Sequence, residues 1–225
     1  MATGTYVVRL IDCAETGGVG ADRAAVGQLL ATWYRSVCAT ASSAAMTWSA
    51  DVQWLTAPQP ASPSQDAGSP QTINMLIFYV PTPQEGVIRL HPNWRGQAQE
   101  ADGDTAIWGT TVLRWTPPGA AAGHRTGTLG IAEVYTRRCR TTQTAASVLN
   151  LARTGFHETM HNQTVRNGSE LHSGRAGFAA DIPAGDAPTG SDLQLMSGAL
   201  RALVPQWLDG FQAWRTNAAD PFGGI

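Results

Sequence analysis

His157-Glu158-Thr159-Met160-His161 is the stretch whose residue types and spacing carry chemistry. On a helix, His157 and His161 stand one turn apart on the same face, so both imidazoles can reach one metal ion. Glu158 stands beside them and can take a proton from a water that such an ion activates. This is what zinc-assisted hydrolysis needs: His157 and His161 as ligands to Zn2+, and Glu158 as general base. The competing reading is a solvated helix face that happens to carry two histidines.

Two histidines do not hold a catalytic zinc; a third protein ligand is needed, with a fourth position left for water. Asn167-Gly168 is a helix-ending signal at which the chain can turn back. His172 follows shortly and is the best third ligand, with Glu170, Asp181 and Asp186 as weaker candidates.

The motif needs a helix to carry it. Thr144 can cap one that starts at Ala145. Ala145, Val148, Leu149, Ala152, Phe156 and Met160 form its buried stripe. Asn150, Thr154, His157 and His161 form a neighbouring stripe rotated by roughly 100°. One face therefore packs under a sheet while the adjoining face points into a cleft. The sheet is predicted from β-rich runs at Tyr6–Ile11, Met46–Thr56, Ile73–Val80, Ile107–Trp115 and Gly127–Tyr135, with Val87–His91 as a short edge piece. Ile73–Val80 is apolar on both faces, which predicts a central strand. An amphipathic helix capped by Asp22 places Val26, Leu29, Leu30, Trp33 and Val37 on the core. Ala57–Pro70 and Arg95–Thr105 read as loops, and Arg137, Arg138 and Arg140 as a solvated loop.

These residues resemble the metzincin zinc metallopeptidases, in particular the catalytic domains of the matrix-metalloproteinase type. Such domains run His-Glu-x-x-His, a Gly turn, a third His followed by Ser, and Leu-Met in a tight turn. Here the counterparts are His157 to His161, Gly168, Leu171-His172-Ser173 and Leu195-Met196-Ser197-Gly198. Leu203 to Trp214, entered at Pro205 and packed through Trp207, Leu208, Phe211 and Trp214, is similar to the closing helix of the family. The spacing departs from the family at one place. The third His follows the second by six residues there, whereas His172 follows His161 by eleven. A helix running on to Asn167 would be longer by about one turn, roughly 6 Å. The segment from Gly168 must then fold back for His172 to reach the metal.

The resemblance implies a single α/β (α+β) domain over residues 1–225, built on a twisted mixed sheet with a backing helix. Residues 1–162 would end in the active-site helix, and residues 163–225 would supply the third ligand, the Met-turn and the final helix. Met196 would lie under the three histidines as an apolar floor, a role set against that of ordinary core filler. The implied activity is zinc-dependent endopeptidase action on a polypeptide substrate. The substrate strand would pair with an edge strand, Gly127–Tyr135 or Ile107–Trp115, and Tyr135 is a candidate to assist the oxyanion. The alternatives are a non-catalytic zinc-binding or particle component on the same scaffold, and a zinc hydrolase of small amides.

Composition narrows the remaining classes. A chain of 225 residues with 43% hydrophobic content and eight Trp is long and apolar enough for one sizeable core. A formal charge of −2 gives no reason to expect nucleic acid or an anionic membrane as partner. No apolar run of about 18 residues predicts a membrane span, and the N-terminus lacks the pattern of a signal peptide. The expected location is cytoplasmic by default, with non-classical export or delivery into another cell as the alternative. All 15 basic residues are Arg, which fits a GC-rich genome, or a protein that avoids lysine-directed modification inside another cell. Cys13, Cys38 and Cys139 lack metal-cluster spacing and read as buried thiols, with one bridge left open.

Overall fold

The computed structural model describes residues 2–13, 18–55, 72–86, 106–112, 130–140, 144–164, 166 and 168–202. Five strands form one mixed sheet: β1 (Ala2–Asp12), β2 (Met46–Leu55), β3 (Thr72–Val80), β4 (Gly109–Val112) and β5 (Gly130–Tyr135). Their order is β2-β1-β3-β5-β4. All neighbours run parallel except β4, which lies antiparallel on β5 with Thr111 opposite Ala132. Ile73–Val80 is central, as its two apolar faces predict. Gly130–Tyr135 is an inner strand between β3 and β4, so it cannot supply the free edge expected of it. Of Ile107–Trp115, the described strand is Gly109–Val112, which among the described strands lies at one end of the sheet.

Alternate residues of the strands build the core against two helices. Tyr6, Val8 and Leu10, with Met75, Ile77 and Tyr79, and with Ala132 and Val134, join one buried cluster. This is the two-residue period of strands presenting one face. Helix α1 (Arg23–Ala41) contributes Val26, Leu30, Trp33, Tyr34 and Val37 to that cluster. Leu29 is only partly buried against it. Asp22 precedes α1 but makes no side-chain cap; its carboxylate accepts from Arg140 at 3.0 Å instead. The short helix α2 (Thr136–Cys139) follows β5, so Arg137 and Arg138 lie on a helix and not in a loop, although Arg137 and Arg140 are exposed as expected. Arg138 donates to the Ile107 carbonyl at 2.6 Å and Arg140 to the Val19 carbonyl at 2.8 Å, tying loops to the sheet end. Cys38 and Cys139 are buried thiols, whereas Cys13 is exposed; none is bridged.

Helix α3 (Thr144–Thr164) carries the motif, and Leu151, Ala152, Phe156 and Met160 bury its apolar stripe in the cluster. Thr159, inside the motif, donates its one hydroxyl hydrogen to the Gly155 carbonyl at 2.9 Å. The Tyr34 hydroxyl, 2.7 Å from Thr159 Oγ1, must therefore be the donor of that pair, and it locks α3 onto α1. Beyond α3 lie α4 (Gly168–His172) and α5 (Gly190–Ala202). Leu195 to Gly198 sits inside α5, so this stretch is a helix and not the expected tight turn. The reason is local: Thr189 and Asp192 start a helix there and no breaker follows for two turns. Met196 is buried in the core cluster. The expected closing helix at 205–214, the edge piece at 87–91 and the loops at 57–70 and 95–105 lie outside the described residues. No helix among the described residues is long and apolar enough to cross a membrane.

Candidate metal centre

His157 and His161 stand on the buried side of α3, their Nε2 atoms 3.0 Å apart. The fold-back demanded by the long spacing is made in two steps. Helix α3 stops at Thr164, short of Asn167. The Arg166 backbone then curls onto His161, its N–H donating to the His161 carbonyl at 3.1 Å and its own carbonyl lying 2.8 Å from His161 Nδ1. From there α4 returns the chain, with Leu171 as its fully buried anchor. His172, the next residue, brings its Nε2 to 3.3 Å from that of His157 and 3.2 Å from that of His161.

Three imidazole nitrogens thus converge with separations of 3.0 to 3.3 Å. Two corners of a tetrahedron with Zn–N bonds of about 2.0–2.1 Å lie about 3.4 Å apart, so the triangle has the size that zinc requires. The far nitrogens fix the tautomers. His157 Nδ1 lies 2.6 Å from the Phe178 carbonyl, His161 Nδ1 lies 2.8 Å from the Arg166 carbonyl, and His172 Nδ1 lies 3.0 Å from Asp181 Oδ1. Each partner is an acceptor, so each Nδ1 carries the hydrogen and each Nε2 presents a bare lone pair. Three lone pairs at this distance repel one another unless a cation sits among them. The donor set fits Zn2+.

The other acidic candidates are not part of the triangle. Asp181 meets His172 on its Nδ1 side, away from the triangle, and is 84% exposed at its side chain. Glu170 and Asp186 are exposed. The described residues that can close on one ion are His157, His161 and His172.

Glu158 is buried and faces the edge strand. A methyl group built on Gly109 of β4 would lie 2.8 Å from both Cγ and Oε1 of Glu158, and 2.8 Å from the Glu133 carbonyl oxygen. Only a residue without Cβ lets β4 pass this close, so Gly109 forms the notch that seats the carboxylate. Tyr135 does not share the seat. It alternates with Val134 on β5, which puts it on the other sheet face, and its hydroxyl lies 3.5 Å from Glu133 Oε2.

Burial sets the charge states of the metal-free site. It lowers the pKa of His157 to about 3, helped by neighbouring His161 and opposed by the hydrogen bond to Phe178. It lowers that of His161 to about 4. It raises that of Glu158 to about 8. Both histidines are therefore neutral and ready to ligate near pH 7. The stability consequences have opposite signs. The histidines bind fewer protons folded than unfolded below pH ~6.5, so they cost stability as pH falls through that value. Glu158 binds more protons folded than unfolded between pH ~4.5 and ~8, so it costs stability as pH rises through that window. Two groups oppose one below pH ~6.5, and Glu158 acts alone above it. Chelator-stripped protein should thus show a melting temperature that peaks near pH 6.5, its unfolding free energy falling by roughly 1.4 kcal/mol per pH unit on either side. A melting temperature rising monotonically from pH 5 to 8 would contradict these charge states.

Several of these parts carry no local sequence signal. Gly109 is an unremarkable glycine in a short strand, and the Phe178 and Arg166 carbonyls belong to backbone that any residue offers. Comparison with protein-family models, with curated proteins and with solved structures gives no match to this chain.

Proposed function

We propose that the protein is a zinc-dependent endopeptidase of metzincin-like type. The observation that carries the reading is the triangle of three lone-pair nitrogens, each with its far nitrogen tied to an oxygen. Bound zinc would supply a Lewis acid that acidifies a water and polarises the scissile carbonyl. His157, His161 and His172 would hold it and leave one face open. Glu158 would take the proton of the attacking water and return it to the leaving amine. Its burial against β4 keeps it out of bulk solvent, where a proton would be lost to water. Strand β4 would pair with an extended stretch of substrate, since among the described strands it ends the sheet next to Glu158.

Elemental analysis and turnover of an unfolded polypeptide test the reading together. Near one zinc per chain with cleavage at internal bonds is the expected result. Zinc without turnover of any polypeptide would replace it by a non-catalytic scaffold, and cleavage confined to small amides would replace it by an amidase. No zinc after reconstitution would remove both the metal and the mechanism.

Gly109 offers a finer check. In Gly109→Ala the new methyl meets Glu158 and the Glu133 carbonyl, and the carboxylate is the part that can move. Displacement of about 1 Å is expected to lower kcat by roughly 10–100-fold. Zinc content should stay at the wild-type level, because the atoms nearest the new methyl belong to Glu133 and Glu158 and not to the histidines. Unaltered kcat in this variant would show that the seat of Glu158 lies elsewhere.

A further inference from the structure

Two of the three ligands take their orientation from one short loop. The 3-10 turn Gly177–Ala179 supplies the Phe178 carbonyl to His157, and Asp181, just beyond it, supplies the carboxylate to His172. The loop closes on itself where the Ala184 N–H donates to the Gly177 carbonyl at 3.0 Å. Outside, Arg153 donates to the Gly185 carbonyl at 2.8 Å. Inside, one buried side chain holds it: Asp192, 1% exposed in the first turn of α5.

Asp192 starts as a helix-capping residue and does more than capping requires. Thr189-Gly190-Ser191-Asp192 forms a capping box, in which Asp192 Oδ2 accepts from the Thr189 N–H at 2.8 Å and the Asp192 N–H donates to Thr189 Oγ1 at 3.2 Å. The Thr189 hydroxyl also lies 2.9 Å from Oδ2. The same carboxylate then accepts from the Phe178 N–H at 3.0 Å and from the Ala179 N–H at 3.0 Å. The turn can approach this closely because residue 177 is a glycine. Its φ is +75°, and a methyl there would stand 2.6 Å from Asp192 Oδ2. The Ala179 N–H that Asp192 grips belongs to the same peptide unit as the Phe178 carbonyl that orients His157.

We propose that Asp192 is a positioning residue for the metal centre: its carboxylate fixes the 177–184 loop, and through Phe178 and Asp181 sets how tightly His157 and His172 bind zinc. The inference rests on the zinc reading above and adds to it a residue that touches neither metal nor substrate. Asp192→Asn keeps the shape but turns an NH2 group towards backbone donors, so part of the loop loses its acceptor.

The test is zinc affinity of the full chain, by competition with a chromogenic chelator, for wild type, Asp192→Asn and Thr189→Ala. Asp192→Asn should bind zinc about 10–100-fold more weakly, the usual effect of losing an orienting partner. Thr189→Ala removes the cap hydroxyl but leaves the bonds from Asp192 to Phe178 and Ala179, so it should lower Tm and hold zinc within about twofold of wild type. Equal affinity in wild type and Asp192→Asn would overturn the proposal, as would an equal loss in Thr189→Ala, which would make Asp192 only a helix cap. Should Asp192→Asn fail to fold, hydrogen exchange on wild type decides the matter. Coupling is reciprocal, so zinc must slow exchange at the Phe178 and Ala179 amides. Unchanged exchange there would end the proposal. Wild type that binds no zinc would instead sink the zinc reading on which it stands.

Discussion

Glu158→Gln is expected to keep its zinc and lose roughly 10²–10⁴-fold in turnover of a polypeptide, the range that one positioned acid–base group supplies. Gln has the same length and fits the same notch below Gly109, so the variant changes proton chemistry without changing shape. The expectation depends on where the carboxylate sits. Burial alone raises its pKa to about 8, so in the metal-free site Glu158 holds a proton at neutral pH. A base must be ionised, and a dication nearby is what would draw the carboxylate into its charged form. The stripped Gln variant should accordingly lose the alkaline limb of its stability profile, because the group that titrates there is gone. Zinc content by elemental analysis, kcat on an unfolded protein and the pH dependence of Tm measure all three effects. Turnover at the wild-type rate with zinc in place would rule Glu158 out as the base.

The second large effect concerns the residue on which the sequence spacing cast the most strain. His172→Ala should lower zinc affinity by more than the roughly 10–100-fold that an outer partner costs, and abolish turnover with it. The triangle would then offer two nitrogens only, and a catalytic zinc needs three protein ligands. Asp181 is the side chain nearest to hand, but it stands on the Nδ1 side of His172, behind the ring and not in front of it. A chelator titration of the variant beside wild type reads the result. Wild-type affinity in His172→Ala would show that Asp181 or Glu170 moves in and that the third corner is a carboxylate.

That His157 and His161 come together was legible in the sequence because the constraint is local. Two histidines one helical turn apart must share a face, and the helix period says so without any knowledge of the rest of the chain. His172 was preferred for its place just after Asn167-Gly168, with Glu170, Asp181 and Asp186 left open, while the details of its route were not legible. The helix was expected to reach Asn167 because nothing at Thr164 breaks a helix by type; the stop is made by the Arg166 backbone closing on His161. The tight turn at Met196 was misread because a capping box with its acid at Asp192 makes a helix of those residues. That box was itself written in the Thr-x-x-Asp pattern of Thr189 to Asp192. Which of Gly127–Tyr135 and Ile107–Trp115 is the inner strand could not be told, since order across a sheet is decided by pairing as well as by the residues of one strand. Gly109 belongs to the same class: its role exists only once β4 is laid against α3.

Phe178 joins two functions that are usually housed apart. Its ring packs against both Trp33 and Phe156, with centroids 4.8 and 5.6 Å away, while its carbonyl lies 2.6 Å from His157 Nδ1. One residue thus ties the packing of α1 against α3 to the seat of the His157 ring. Any ion that grips the histidines adds its binding free energy to the folded chain, about 4 kcal/mol at a free concentration a thousandfold above Kd. That is a large share of the margin by which most domains stay folded. A chain starved of zinc would spend more of its time open and be cleared sooner, so metal supply would govern how long the molecule survives as well as whether it is active.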